Sequence, residues 1–219
     1  MTTCTLTRSL PSGTQLRWLT FDRPPEGYRE PGQFVQVEIG GEKAYFAIAS
    51  APGRPLELLV KEDGDAALAL AGLQVGDTIE VSSAMGEGFG ASATHPRHLV
   101  CLVNGSALSA VRPVIEQEVQ AGLVRPVSLL LGVLTPDRQP FADDLARWAR
   151  EGVAVHVVVD PAHEGWSGLI GFVQLAAQEL GLVRDDVAVV ACGVPPMQDH
   201  AAELYREAGL DPSFFLTNF

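Results

Sequence analysis

Apolar residues recur along this chain with two different periods, and the change falls near residue 94. Up to about Ser92 they come in short, partly alternating runs, as in Phe34, Val35, Gln36, Val37, Glu38 and Ile39. Alternation of this kind puts one face of a strand into a core. The segments "TQLRWLTF", "GQFVQVEIG", "KAYFAIAS", "LELLVKE" and "GDTIEVSS" are brief and β-rich, several of them alternating, and are bounded by turn formers such as "PPEG" and "APGR". Only "GDAALALAGL" reads as helical, carrying alanine and leucine without β-branching. The pattern predicts a six-stranded antiparallel β-barrel over residues 1–94.

After "SATHPR" the rhythm becomes strand then helix, four times over. "HLVCLVN" precedes "SAVRPVIEQEVQAG", "PVSLLLG" precedes "PFADDLARWAREG", "VAVHVVVD" precedes "GFVQLAAQELG", and "VAVVACG" precedes "PMQDHAAELYREAG". Continuous apolar strands joined to amphipathic helices by short loops predict an α/β doubly wound parallel sheet over residues 95–219. "PSFFLTNF" adds a short aromatic segment at the end. The strand ends read "VNGSALSA", "LGVLTPD", "VVDPAHEGWSG" and "ACGVPPM", all small, polar or turn-forming. Ordinary strand–helix turns use the same residues, so no single loop decides. Four of them on one sheet edge, behind a small barrel, favour a nucleotide crevice, where backbone N–H groups and helix N-termini receive phosphate.

Composition narrows the classes. The 219 residues are 47% hydrophobic and 19% charged, with a formal net charge of −12, which disfavours nucleic acid or an anionic membrane surface as partner. No apolar stretch approaches the roughly 20 residues that span a bilayer. The start, "MTTCTLTRSLPSG", lacks the apolar segment of a secretory signal. Cys4, Cys101 and Cys192 are too scattered for a disulfide framework or an iron–sulfur set. A reducing, cytoplasmic setting is the expectation. His95, His98, His156, His163 and His200 show no metal-ligand spacing, so no metal is expected. "HPRH" reads as a linker and Trp148 as core on the apolar stripe of a helix; Trp166 is a candidate ligand contact.

The motifs, in this order, resemble the ferredoxin–NADP reductase superfamily, a flavin barrel followed by a pyridine-nucleotide domain. "PGQFVQVEI" and "AYFAIAS" resemble its flavin-binding strands, the latter standing at an Arg-x-Tyr-Ser motif. The "ELLVKEDGDAALALAGLQVGDTIEVSSAMGEGF" stretch is similar to the segment with the flavin pyrophosphate loop, and "VNGSALSAVRPVIE" to the Gly-Thr-Gly-x-Ala-Pro nucleotide loop. "ACGVPPM" resembles the Cys-Gly-x-x-x-Met motif, and Phe219 the terminal aromatic. Plant reductase-like proteins share "AIAS", "MGxGF", "WSG" and a final "NF".

The resemblance implies FAD and NAD(P)H as cofactors, with a separate electron acceptor such as a redox protein. It implies Tyr45, Phe46, Ala47, Ile48, Lys61, Gly64 and Ala66 at the flavin. It implies Gly105, Ser106, Ala107, Gly132, Leu134, Gly193 and Met197 at the nucleotide, and Cys192 and Phe219 beside the reacting rings. A thiol is small and weakly polar, so it can line a hydride path. The cofactors carry such chemistry, and no acid–base triad is needed or visible.

The departures point to loosely held FAD. Ala44 stands at the family's arginine, with Lys43 expected on the opposite strand face. Phe46 stands for its tyrosine, Ala47 for its serine, and Ala66 for a hydroxyl residue at the pyrophosphate. Ala107 replaces a glycine and Ala110 a proline of the nucleotide loop. Leu134 stands where an arginine would meet a 2′-phosphate, and Arg138 lies further along, which leans toward NAD. Two functions follow from these residues: a flavin-dependent oxidoreductase, or a catalytically degenerate relative serving as a binding or regulatory module.

Overall fold

The computed structural model describes residues 1–218. Its first half is an antiparallel sheet of six strands: β1 (Thr2–Pro11), β2 (Leu16–Phe21), β3 (Phe34–Ile39), β4 (Glu42–Ala47), β5 (Glu57–Lys61) and β6 (Thr78–Val81). The order is β4-β3-β6-β1-β2-β5, and the outer strands β4 and β5 lie close together, so the barrel nearly closes. A short helix, α1 (Asp65–Ala71), follows β5 in the chain and packs against β3, β4 and β5 beside that opening. Cys4, Leu6, Leu19, Phe21, Val35, Val37, Leu58 and Val60 fill the barrel.

The strand that pattern alone passed over is β1. It is long and threonine-rich, and only Cys4 and Leu6 are buried along it. It nonetheless pairs with both β2 and β6 and so holds the barrel together.

The second half is a six-stranded parallel sheet with strands β7 (His98–Asn104), β8 (Val127–Val133), β9 (Ala154–Val159), β10 (Leu169–Ile170), β11 (Val187–Cys192) and β12 (Phe215–Leu216). The order β10-β9-β8-β7-β11-β12 reverses direction at the β7–β11 pair. The helices α2 (Leu108–Gln120) and α3 (Ala142–Glu151) pack on one face. On the other lie α4 (Val173–Glu179) and α5 (Pro195–Glu207). This is the expected barrel plus doubly wound sheet. The expected division at 94/95 falls in the segment between Val81 and His98 that joins the two sheets.

The halves share buried surface. Leu16, Ala49, Leu59 and Phe89 of the first half belong to the same apolar cluster as β7, α2 and Trp148, which is fully buried. Across that seam Arg112 of α2 donates to the Ala49 carbonyl at 2.8 Å, to Glu57 Oε2 at 2.8 Å and to Asp144 Oδ2 at 2.7 Å. Arg125 is buried too, donating to Thr94 Oγ1 at 2.7 Å and to the Ala91 carbonyl at 3.1 Å, which ties the connecting segment to the sheet.

Candidate functional site: two clefts that meet at Asn104

The reversal of strand order leaves a crevice beyond the C-terminal ends of β7 and β11, as expected for an open α/β sheet. Two clefts open there. The first, about 730 Å³, lies between the barrel and the sheet edge. Its barrel side is formed by Ala44, Tyr45, Phe46, Ala47, Leu59 and Lys61, and its sheet side by Ser106, Ala107, Cys192 and Gly193. The second, about 700 Å³, runs along the sheet edge past Gly105, Gly132, Leu134, Asp160, Phe172, Gln174, Met197 and His200. Lys61, Asn104, Ser106 and Val194 line both.

Asn104, the last residue of β7, sits where the clefts meet. Its amide is held between two glycines. A Cβ on Gly132 would fall 2.7 Å from Asn104 Nδ2, and one on Gly193 would fall 2.7 Å from Asn104 Oδ1 and 3.0 Å from Met197 Cε. Both glycines are therefore required by close approach. Asn104 Oδ1 is buried and has no hydrogen-bond partner among the described residues. A buried amide oxygen without a donor costs about 1–3 kcal/mol, so it is a ready acceptor for an N–H entering either cleft. Gln174 Oε1 is likewise buried and unpartnered, while its Nε2 lies 3.2 Å from His200 Nδ1.

Cys192 ends β11 beside this junction, its Sγ 3.7 Å from Asn218 Oδ1. Asn218 also donates from Nδ2 to the Gly32 carbonyl at 3.4 Å, bringing the C-terminal tail against the barrel. Burial pushes the Cys192 thiol up to about 12, so it is a neutral thiol at ordinary pH. Cys101 is pushed up to about 12 by the same cause, and burial with the nearby Asp22 carboxylate raises Cys4. All three are buried. Thiolate is the reactive form. Native protein should thus show less than about one thiol reactive toward an aromatic disulfide at pH 8, and three after unfolding in denaturant. Rapid labelling of Cys192 in the folded protein would contradict its placement.

Residues 102–203 match the model for the oxidoreductase NAD-binding domain. Among curated proteins, NADH-cytochrome b5 reductase 1 of Pyricularia oryzae is 32% identical over 151 residues, 65% of this chain and 48% of the relative. The NADH-cytochrome b5 reductase-like protein of Arabidopsis thaliana is 27% identical over 194 residues, 81% of this chain and 55% of that one. A ferredoxin reductase of carbazole 1,9a-dioxygenase superposes with a TM-score of 0.85 at 19% identity, over 99% of this chain and 68% of its own. The flavohem-like FAD/NAD binding domain of nitric oxide dioxygenase from Vibrio cholerae gives 0.85 at 19%, over 98% and 96%. The chain thus carries an oxidoreductase NAD-binding domain in its second half and shares the two-part fold of these reductase structures. It spans about half the length of the curated relatives it matches.

The residues expected from the sequence divide between the two clefts as follows. Tyr45, Phe46, Ala47, Lys61, Gly64, Ala66, Ala107, Cys192 and Gly193 line the first cleft. Gly105, Gly132, Leu134 and Met197 line the second, and Ser106 both. Ile48 lines neither: it is fully buried in the barrel core. Phe219 lies outside the described residues. Lys43 is absent from the lining and pairs with Glu38 at 3.4 Å across the β3–β4 ladder, the opposite face expected for it. Trp166 packs against the core and donates to the Leu169 carbonyl at 2.9 Å.

The clefts also hold residues that the motifs did not flag. Asn104 ends β7, Asp160 follows β9, Gln174 lies in the first turn of α4 and His200 lies within α5. Asn104 was the one within reach of sequence reading, since it immediately precedes the Gly105-Ser106 loop. Among the described residues no group of three or more His, Cys, Asp and Glu is placed to hold a metal ion. No helix among them is long and apolar enough to cross a membrane.

Proposed function

We propose that this chain is a flavin-dependent oxidoreductase that takes electrons from a nicotinamide dinucleotide, NADH in preference to NADPH, and delivers them to a separate redox acceptor such as a small redox protein. The observation that carries this reading is the junction beside Cys192 and Gly193, where Asn104 and Ser106 line both clefts. Two planar rings, one from each cleft, can come face to face only at such a place.

The residues fit the ring ends of both groups. Phe46, Ala47, Leu59 and Ala107 give the first cleft an apolar wall, which suits an isoalloxazine and excludes water. Gly193 makes room for the Asn104 amide at the junction, and Asn104 Oδ1 can accept from a carboxamide N–H. Gly105, Ser106 and the start of the 13-residue helix α2 offer main-chain N–H groups toward a pyrophosphate in the second cleft. A bound flavin supplies the hydride acceptor itself. What the chain contributes is alignment, dryness and an un-ionised thiol at Cys192.

The preference for NADH rests on Asp160, which follows β9 and lines the second cleft. A carboxylate accepts from a ribose 2′-hydroxyl and repels a 2′-phosphate. Arg138 lines the same cleft but donates to Gln15 Oε1 at 2.9 Å. The curated relatives carry the same preference in their names.

The deciding experiment is titration of the purified protein with flavin, followed anaerobically by NADH or NADPH. Flavin fluorescence should be quenched on binding, and NADH should bleach the bound flavin faster than NADPH does. Cys192→Ala should slow that bleaching by up to about a hundredfold through misplacement of the ring. Nucleotide affinity should change far less. An absence of flavin uptake, with neither nucleotide oxidised, would leave the binding-module reading in its place.

A further inference from the structure

We propose that the first cleft selects flavins against phosphate, so that its substrate is an uncharged, diffusible flavin of the riboflavin type, reduced and released in each turnover. The proposal rests on the flavin reading above and makes the released dihydroflavin the carrier that takes the electrons on to the separate acceptor.

The two clefts differ in charge where each must receive the polar end of its ligand. The first is lined by three carboxylates, Glu42, Asp63 and Asp65, against the single ammonium of Lys61. That ammonium is already engaged, 3.0 Å from Asp63 Oδ2. Asp65 occupies the first turn of α1 and so takes up the positive end of that short helix. Ala44, Ala66 and Ala67 complete the same rim and offer neither charge nor hydroxyl. A terminal phosphate placed there would meet fixed negative charge with no free cation among the lining residues. The second cleft has one carboxylate, Asp160, adds Arg138 to the Lys61 it shares with the first, and is lined by Gly105 and Ser106 ahead of the helix α2. Phosphate therefore has a place beside the second cleft and none beside the first.

The apolar and hydroxyl-bearing part of the first cleft is intact. Phe46, Ala47 and Leu59 face Ser106, Ser109 and Asn218, a lining suited to a ring carrying a neutral polyol chain. The turnover balances without a further reactant. NADH gives a hydride to the oxidised ring, a solvent proton completes the dihydroflavin, and NAD⁺ and the reduced flavin leave.

The test is fluorescence titration of riboflavin, FMN and FAD at low and at high ionic strength, with no nucleotide present. Riboflavin should bind at least about tenfold more tightly than FMN or FAD at low salt. The gap should narrow at high salt, because exposed charges are screened beyond roughly 10 Å at 0.1 M. In the double variant Asp63→Asn/Asp65→Asn, FAD should gain about tenfold relative to riboflavin. Tighter binding of FMN or FAD at low salt would overturn the proposal and leave the flavin reading standing. A riboflavin preference indifferent to salt and to the variant would overturn selection by charge. Quenching by none of the three would bring down both.

Discussion

Gly193→Val should reduce NADH oxidation by more than about a hundredfold while the chain still folds. The Cβ alone would fall 2.7 Å from Asn104 Oδ1 and 3.0 Å from Met197 Cε, and the branched methyls would extend into the junction between the clefts. Overpacking of this kind costs about 1–3 kcal/mol, well within what a chain of this size tolerates. The functional cost is larger, because hydride transfer needs the rings in near contact and a displacement of about 1 Å suffices for a hundredfold loss. Flavin binding through the barrel wall should survive, which separates this effect from general damage. The measurements are a thermal melt, a flavin titration and anaerobic transient kinetics on one preparation. A variant that melts normally, binds flavin and is bleached by NADH at the parental rate would show that nicotinamide does not pass Gly193.

How much of this was legible in the sequence depends on the range of the contacts involved. The strands β7, β8 and β11 could be read directly, because each is a run of apolar residues buried on both faces. The prolines at the start of α5 mark its first turn as expected. By contrast β1 is a strand only through its pairings: its threonines face outward and leave no strong alternation. The motif order located most of the cleft lining, since each motif is a local stretch. Ile48, which follows Ala47 directly, turns its side chain into the barrel core and lines neither cleft. Asn104 shows what local reading lacks. Its importance comes from Gly132 and Gly193, which reach it from the neighbouring strands β8 and β11, and neither alone says which side chain it must clear.

The seam between the halves was equally hidden, and it carries the largest expected effect on stability. Arg112→Leu should lower the melting temperature by roughly 6–20 °C, from about 3–5 kcal/mol for breaking a buried ion pair at about 2–4 °C per kcal/mol. Arg112 is buried between Trp18 and Phe141, its guanidinium 4.9 and 5.0 Å from the two ring centroids. Leucine replaces some of that packing, but Glu57 and the Ala49 carbonyl lose their donor and Asp144 keeps only Arg147. Burial already holds Glu57 above the usual carboxylate range, with Arg112 the leading influence that pulls it back. Removing the arginine should raise Glu57 further. A raised carboxylate favours the fold below its unfolded pKa, and that contribution is lost as pH rises through the folded value. The destabilisation should therefore be greatest at neutral pH and shrink toward acid pH, where Glu57 is neutral in both states. Adding Glu57→Gln and Asp144→Asn to Arg112→Leu should recover part of the loss, because the uncompensated charges are gone. Melting curves across pH for the single and triple variants test this. A pH-independent loss that the amide substitutions do not relieve would assign the role of Arg112 to packing against Trp18 and Phe141 instead.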